Sequence, residues 1–339
     1  MQVQFQAPAI SAEPNAPPIM LRGQLDPPPS TTTTTTTTLG QAQPLHDNAT
    51  ARRLEPSRAV MLVCHGMFCC RDQRLLKDVA DAVRRAAGCW TLRFDFSTGM
   101  GESDGETRFS MLRRDVAEIR AAISALWREH RLVTIGLVGH SKGANEVLMF
   151  AANELPGLIH NPTAADLAGC VHTPFSVVAI APRCWMEAAM TSRFTPEQLA
   201  ELQSTGTMPW RVSPLAPEFF RPEDLELRST RVKARHTITI TQEEVDERMA
   251  TDMQQACRLL GAACRVQFVH GTADTVIPQA DSLELHRHAA GSEMVSVQAA
   301  DHMFSSDSSI ETVTSAVAAF CAPSKMGLAP SSPLVVSGL

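Results

Sequence analysis

The sequence has no apolar run near the roughly 18 residues that a membrane-spanning helix needs. Its first residues also lack the basic start and apolar stretch of a signal peptide. Basic residues form no separate stripe, because 30 Lys and Arg are interspersed with 36 Asp and Glu for a net charge of −6. Binding to a phosphate backbone needs a concentrated basic surface. We therefore expect no stable membrane insertion and no nucleic-acid partner.

The cysteines lack the spacing of a metal site. All nine lie in scattered positions, with no C-x-x-C pair and no Cys/His metal pattern. An odd number of dispersed cysteines is typical of a reducing compartment, so we expect a cytoplasmic protein. A weaker alternative is a peroxisome-type organelle, because the chain ends in Ser337-Gly338-Leu339, although a basic residue is missing from the middle of that signal.

The N-terminal segment, residues 1–57, differs in composition from the rest of the chain. It holds nine of the 22 prolines and an uninterrupted threonine run, Thr31 to Thr38. Residues 19–25 nevertheless read as a short strand, and Val3 and Phe5 alternate like a second one. We predict two early strands followed by a disordered loop over 27–57. The alternative is a wholly disordered N-terminal arm.

Residues 58–322 alternate short apolar runs with helical patterns. This alternation predicts an α/β fold with a mostly parallel central sheet and helices on both faces. An excess of residues over about 183–240 predicts a helical cap insertion above the sheet, and Thr195 and Thr241 carry the capping-box signature of helix starts. Residues 323–339 are predicted to form a flexible tail.

One motif carries most of the chemical information. An apolar strand over 133–138 leads into Gly139-His140-Ser141-Lys142-Gly143, and a helical pattern follows. This strand, G-x-S-x-G and helix order is the context of a nucleophile elbow. The glycines permit a sharp turn that exposes the Ser141 hydroxyl, so Ser141 is the candidate nucleophile.

A serine nucleophile needs a histidine base and a carboxylate that orients it. Asp274 follows the apolar strand that ends at Val269, and His302 follows the last predicted strand. The carboxyl ends of parallel strands meet at one sheet edge, so we predict that Ser141, Asp274 and His302 form a triad. Asp301 is the competing carboxylate, but a side chain next to the histidine in a turn usually points elsewhere.

Two backbone N–H groups complete the predicted site by holding the developing oxyanion. One belongs to Lys142, directly after the nucleophile, and the other to Met67 in the loop after the strand at Val60. His65 and His270 each precede a glycine at a strand end and are interpreted as structural. This chemistry needs no metal and no cofactor.

These residues resemble the α/β-hydrolase superfamily, and within it the serine aminopeptidase-like (S33-type) esterase and lipase branch, a hydrolase-4-like group. The resemblance covers about residues 58–322. The segments that carry it are 64–67, 93–105, 139–143, 270–274 and 301–302. Of these, 93–105 contains the D-x-x-G-x-G-x-S loop, which is structural in the family. The threonine-rich insertion and extra residues around 156–174 depart from the family pattern.

We therefore predict a serine hydrolase that cleaves carboxylic esters through an acyl-enzyme on Ser141. A peptidase, thioesterase or acyltransferase would use the same residues, and a catalytically idle ligand-binding protein could keep the same fold. Methionines in the predicted cap favour a small-molecule ester with an apolar acyl group. The physiological substrate and the oligomeric state stay open.

Overall fold

The computed structural model describes residues 1–8, 18–29, 53–160, 167–213, 215–226, 236–262 and 264–329. The predicted threonine-rich loop lies outside these residues over 30–52. The strands are β1 (Gln2–Ala7), β2 (Ile19–Asp26), β3 (Ala59–Cys64), β4 (Trp90–Phe94), β5 (Val133–His140), β6 (Val171–Ile180), β7 (Thr207–Val212), β8 (His236–Thr241), β9 (Cys264–Gly271) and β10 (Glu293–Val297).

The helices of the described residues alternate with these strands and cover both faces of the sheet. They are α1 (Arg74–Ala87), α2 (Leu112–His130), α3 (Lys142–Asn153), α4 (Leu155–His160), α5 (Ala188–Arg193), α6 (Pro196–Thr205), α7 (Gln242–Met249), α8 (Met253–Arg258), α9 (Gln279–His288) and α10 (Asp307–Phe320).

Eight strands form one sheet in the order β1-β2-β4-β3-β5-β6-β9-β10. Strands β4, β3, β5, β6, β9 and β10 pair in parallel, whereas β1 pairs antiparallel with β2 and β2 antiparallel with β4 at one edge. Strands of a parallel sheet are buried on both faces, which explains why β3 and β5 are mostly apolar and are buried along their whole length. The predicted α/β fold, with a mostly parallel central sheet and helices on both faces, is confirmed.

Both early strands predicted from the sequence are present. Leu21 and Leu25 of β2 are buried, and Phe5 of β1 packs edge-on against Phe94 of β4. This packing gives the N-terminal segment a place in the sheet and excludes a disordered arm for residues 2–7 and 19–26.

The segments next to the predicted loop and tail are ordered further than the sequence indicated. Leu54 forms a parallel bridge with Leu328, and Met326 and Leu328 are buried against the core that contains α1 and α10. The predicted loop therefore ends before residue 53, and the predicted flexible tail does not include 323–329. Apolar residues in a short stretch without periodicity gave no signal of this pairing.

The cap between β6 and β9 contains more than helices. Both predicted capping boxes are present, at Thr195 for α6 and at Thr241 for α7. Between these helices the antiparallel pair β7 and β8 forms a separate two-stranded sheet. A buried apolar cluster joins the cap to the segment between β4 and α2, which contributes Met100 and Phe109. The cap residues in this cluster are Met190, Phe194, Leu202, Met208, Val212, Ile238, Ile240 and Val245.

Candidate active site

Ser141 occupies a strained turn between β5 and α3. Its backbone has φ 57° and ψ −120°, a region that non-glycine residues rarely adopt. The turn closes so tightly that a Cβ added to Gly139 would lie 2.2 Å from the Gly143 carbonyl oxygen. A Cβ on Gly143 would lie 2.5 Å from the His65 carbonyl oxygen. The two glycines of the G-x-S-x-G motif are therefore required by sterics.

Replacing Gly139 with alanine is expected to displace the turn and lower kcat by about 100-fold, because a misplacement of the reacting group by about 1 Å has that effect. The nearest atom belongs to the rigid backbone, so the clash cannot be relieved by a side-chain rotation. Gly157→Ala is the matched control, since nothing lies within 4 Å of a Cβ at that position. Ester hydrolysis and thermal unfolding of both variants check this, and a Gly139→Ala enzyme with full kcat would contradict it.

His302 lies directly beside the serine. Its Nε2 atom is 2.9 Å from Ser141 Oγ, and its Nδ1 atom is 2.7 Å from Asp274 Oδ2. A carboxylate only accepts hydrogen bonds, so Nδ1 carries the proton and Nε2 is left to accept the serine proton. The three residues thus form one continuous hydrogen-bonded series, although His302 lies 161 positions from Ser141 and 28 positions from Asp274 in the chain.

Asp274 accepts hydrogen bonds from other groups besides His302. Its Oδ1 accepts the backbone N–H groups of Val276 and Ile277, both at 2.8 Å, and His270 Nε2 lies 3.2 Å from Oδ2. Burial raises the pKa of Asp274, but the hydrogen bonds from His270, His302 and the Ile277 amide outweigh it and hold the pKa well below its ordinary value. Asp274 is therefore an anion that both accepts from and orients the His302 ring.

Asp301, the competing carboxylate, has a different set of partners. Its oxygens accept from the Met303 amide at 3.1 Å, the Ser305 amide at 3.0 Å and the Ser305 hydroxyl at 2.6 Å. These contacts close the turn that carries His302. Asp301 contacts the backbone of the loop, whereas Asp274 contacts the imidazole.

The segments that carry the two predicted oxyanion donors both adjoin the serine. Lys142 is the first residue of α3, where N–H groups have no partner inside the helix. The loop that contains Met67 approaches so closely that a Cβ on Gly66 would lie 3.0 Å from Ser141 Cβ and 3.6 Å from Oγ. Across the described part of the chain, neither the Met67 nor the Lys142 amide donates to a protein acceptor. Both are free to bind a ligand oxygen.

The Lys142 side chain enters a buried charged cluster that the sequence interpretation missed. Its Nζ forms an ion pair with Asp115 of α2 and lies 3.1 Å from Glu146 and 3.2 Å from Thr98. Burial lowers the pKa of Lys142, but the two carboxylates outweigh it and raise that pKa above its ordinary value. The i, i+4 spacing of Lys142 and Glu146 was the only available sequence signal.

The other histidines near the site have structural partners. His65 Nε2 accepts the Phe96 amide at 3.0 Å while Nδ1 donates to the Gly66 carbonyl at 2.9 Å. His140 Nε2 donates to the His302 carbonyl at 2.9 Å, and burial together with His302 lowers the pKa of His140 to about 3. Neutral His140 thus supports the backbone that carries His302, a role that the sequence interpretation did not assign.

The cysteines around the Met67 loop are poor nucleophiles. Burial raises the pKa of the Cys69 thiol to about 12 and raises the pKa values of Cys64 and Cys70 well above their ordinary range. A thiol in this state is protonated at neutral pH, and the thiolate is the reactive form. All nine cysteines are free thiols.

Two further features bear on the class of protein. In the ranges that the structure describes, no group of three or more His, Cys, Asp or Glu side chains is arranged to hold a metal ion. None of the helices described above is long and apolar enough to cross a membrane. A surface groove of about 720 Å³ at the outer sheet edge, lined by residues of β1 and α2, contains none of the candidate site residues.

A parallel sheet with a strained serine turn, followed in sequence by an aspartate and then a histidine at the same sheet edge, defines an α/β-hydrolase. The family model of the serine aminopeptidases, S33 (Hydrolase_4), matches residues 55–308. The chain belongs to this family. A comparison with curated proteins returns no match.

Solved structures share the fold at low sequence identity. A putative hydrolase from Agrobacterium vitis S4 is 18% identical with a TM-score of 0.64, covering 95% of this chain and 98% of its own. Est1E from Butyrivibrio proteoclasticus, solved with ferulic acid, is 18% identical with a TM-score of 0.58, covering 89% of this chain and 94% of its own. A monoacylglycerol lipase from Paleococcus ferrophilus is 19% identical with a TM-score of 0.53, covering 79% and 96%.

Proposed function

We propose that the protein is a serine hydrolase that cleaves carboxylic esters through an acyl-enzyme on Ser141. The observation that carries this proposal is the hydrogen-bonded series from Ser141 Oγ through His302 to Asp274, with distances of 2.9 and 2.7 Å. Hydrogen-bond contact among nucleophile, base and orienting carboxylate is the geometry by which such triads are recognised.

In the proposed reaction, Ser141 Oγ attacks the ester carbonyl carbon while His302 Nε2 takes the hydroxyl proton. The carbonyl oxygen becomes an oxyanion, and the amides of Met67 and Lys142 donate hydrogen bonds to it. Collapse of this intermediate breaks the bond to the alcohol, which leaves with the proton from His302. Water then adds to the acyl-enzyme, His302 takes its proton, and the carboxylic acid and free Ser141 are released. Asp274 stabilises the imidazolium that forms in each half of the reaction.

The names of structurally similar proteins favour an ester substrate over the alternatives. An acyl-enzyme can also form from an amide or a thioester, or transfer its acyl group to another acceptor, so a peptidase, thioesterase or acyltransferase is the rival within the same chemistry. Two structurally similar proteins bear the names esterase and monoacylglycerol lipase. A catalytically idle binding protein is the second candidate, but such a protein has no need for a strained Ser141.

The proposed substrate is a small molecule whose acyl part is largely apolar. The buried cluster between cap and sheet is rich in methionine and phenylalanine, and Met67 and Phe68 of the oxyanion loop pack against it. Methionine adapts its shape to varied apolar groups. We also propose a cytoplasmic location, since nine free thiols are suited to a reducing compartment.

Labelling with a fluorophosphonate probe tests the proposed function. We expect covalent modification of Ser141, found by mass spectrometry of the peptide, because an activated serine attacks phosphorus as it attacks a carbonyl. Ser103→Ala is a matched control that should leave labelling unchanged, since that buried hydroxyl already donates to the Asp95 carbonyl. Absence of labelling at Ser141 in folded protein would favour the idle binding protein.

A further inference from the structure

Arg183 lies between the nucleophile helix and the loop of the acidic residue. It follows β6, and its backbone is held by Asn145 of α3, which accepts from the Arg183 amide at 3.1 Å and donates to its carbonyl at 2.6 Å. The Arg183 Nη2 atom donates to the Val276 carbonyl at 2.7 Å, and the Val276 amide in turn donates to Asp274. The side chain is only 4% exposed. Arg183 is thus fixed within the wall of the candidate active site.

Two cap arginines approach the same region. Arg248 of α7 is 5% exposed, and its guanidinium lies over the Phe109 ring at 5.6 Å from the centroid. Phe109 packs edge-on against Phe194 at 5.3 Å, and Arg193 directly precedes Phe194 at the end of α5. The two cap arginines therefore flank the apolar cluster that borders the Met67 loop.

These arginines are close enough to affect one another's charge. Burial, followed by the proximity of Arg183 and Arg193, lowers the pKa of Arg248 to about 9. Burial and Arg183 likewise lower the pKa of Arg193. Since guanidinium groups repel one another in a region that excludes water, the arrangement is costly unless negative charge enters it.

Nearby carboxylates act on these arginines only from beyond ion-pair distance, and burial outweighs their effect on Arg183 and Arg248. Among the described residues, none lies within the 4.0 Å of an ion pair with Arg183, Arg193 or Arg248. Asp281 and Asp274 both act to raise the pKa of Arg183, but Asp281 accepts the Cys184 amide at 2.8 Å and Asp274 accepts from His302 at 2.7 Å. Glu146, whose charge acts to raise the pKa of Arg248, is paired with Lys142, whose Nζ lies 3.1 Å away.

Hydrogen-bond capacity is left over as well. The Nε atoms of Arg183 and Arg248 are buried and have no hydrogen-bond partner in the described chain. Buried guanidinium donors normally meet carboxylate or phosphate oxygens, often two at a time. Among the described residues no such oxygen meets these two Nε atoms, so both can donate to an anionic ligand.

We propose that Arg183, Arg193 and Arg248 bind an anionic oxygen group of the substrate, a carboxylate or a phosphate, while the adjacent methionines and phenylalanines hold its apolar part. This inference rests on the proposed ester hydrolysis and narrows its substrate class. The substrate is then an ester with an apolar segment and a charged end, such as the half ester of a dicarboxylic acid, rather than a wholly apolar ester.

The test compares p-nitrophenyl hydrogen adipate with p-nitrophenyl hexanoate, which differ only by a terminal carboxylate in place of a methyl group. We expect a higher kcat/KM for the adipate ester. In Arg248→Gln or Arg183→Gln the ratio of the two kcat/KM values should fall by about 10- to 100-fold, the effect of losing a charge-assisted hydrogen bond. Arg248→Lys should keep part of the preference. Arg287→Gln is the control with an unchanged ratio, because Arg287 is 73% exposed and pairs with Glu284.

A second measurement does not depend on where the charge lies in the substrate. Adipate or inorganic phosphate should slow fluorophosphonate labelling of Ser141 in the wild-type protein, and neutral adipamide should not. Protection by phosphate alone would identify a phosphate group, and protection by adipate alone a carboxylate.

If Ser141 is labelled but neither anion slows the labelling and the adipate ester is not preferred, the proposed arginine site is wrong and the proposed serine hydrolase function is retained. If Ser141 is not labelled at all, the proposed function itself fails. Should the arginine variants not fold, protection of the wild-type protein decides.

Discussion

Replacing Ser141 or His302 with alanine is expected to lower kcat by about 10⁴- to 10⁶-fold, and replacing both should cost little more than either change alone. The serine is a nucleophile only while His302 Nε2, 2.9 Å away, can take its proton. Removing either partner stops the same step, so the two losses do not add. Single-turnover hydrolysis of a p-nitrophenyl ester measures both variants without interference from slow product release.

The control for these variants is a measurement that shows each of them is folded. His302 is largely buried, so thermal unfolding of each variant must accompany the kinetics. If the losses in the double variant multiplied, the two residues would act in separate steps. This result would contradict the proposed triad even though the residues are in contact.

Asp274→Asn is expected to lower kcat by about 10⁴-fold, because an amide cannot hold the His302 ring with its proton on Nδ1. The neutral amide also cannot stabilise the imidazolium that forms when the serine proton is taken. Substrate binding should be less affected than kcat, since Asp274 contacts the histidine rather than the space where an ester enters. Steady-state kinetics that separate kcat from KM check this expectation.

Asp301→Asn is the matched comparison for this prediction. Asp301 adjoins His302 in sequence but bonds only to the backbone and hydroxyl of its own turn, at Met303 and Ser305. We expect about a tenfold loss or less, from a looser loop, which is a small effect beside that of Asp274→Asn. A larger loss for Asp301→Asn than for Asp274→Asn would show that Asp301, and not Asp274, orients His302.

Local features of the chain were predicted well because their causes lie close together in sequence. The G-x-S-x-G turn, the capping boxes at Thr195 and Thr241 and the short strand over 19–25 each depend on neighbouring residues. Even the approach of Asp274 and His302 to Ser141 followed from one rule, that parallel strands place their carboxyl ends at a common edge.

The cap shows where such reasoning stops. Its sequence predicted helices, and α5, α6 and α7 are present, but β7 and β8 pair across an intervening segment that gave no hairpin signal. The helix that starts at Thr241 ends at Met249, and Asp252 caps a second helix, α8, which no sequence signal named above indicated.

By itself, the sequence determined which residue is the candidate nucleophile, the order of its partners and the class of fold, because backbone sterics and hydrophobic periodicity act over a few residues. Tertiary structure alone decided how charges are grouped. Arg183, Arg193 and Arg248 are ordinary basic residues in a chain with net charge −6, and Lys142 is one more. Their roles depend on which carboxylates the fold brings within ion-pair distance. Lys142 has Asp115 and Glu146, whereas no described carboxylate lies within that distance of the three arginines. Coulomb energy depends on distance in space and on exclusion of water, and neither quantity is written in the order of the residues.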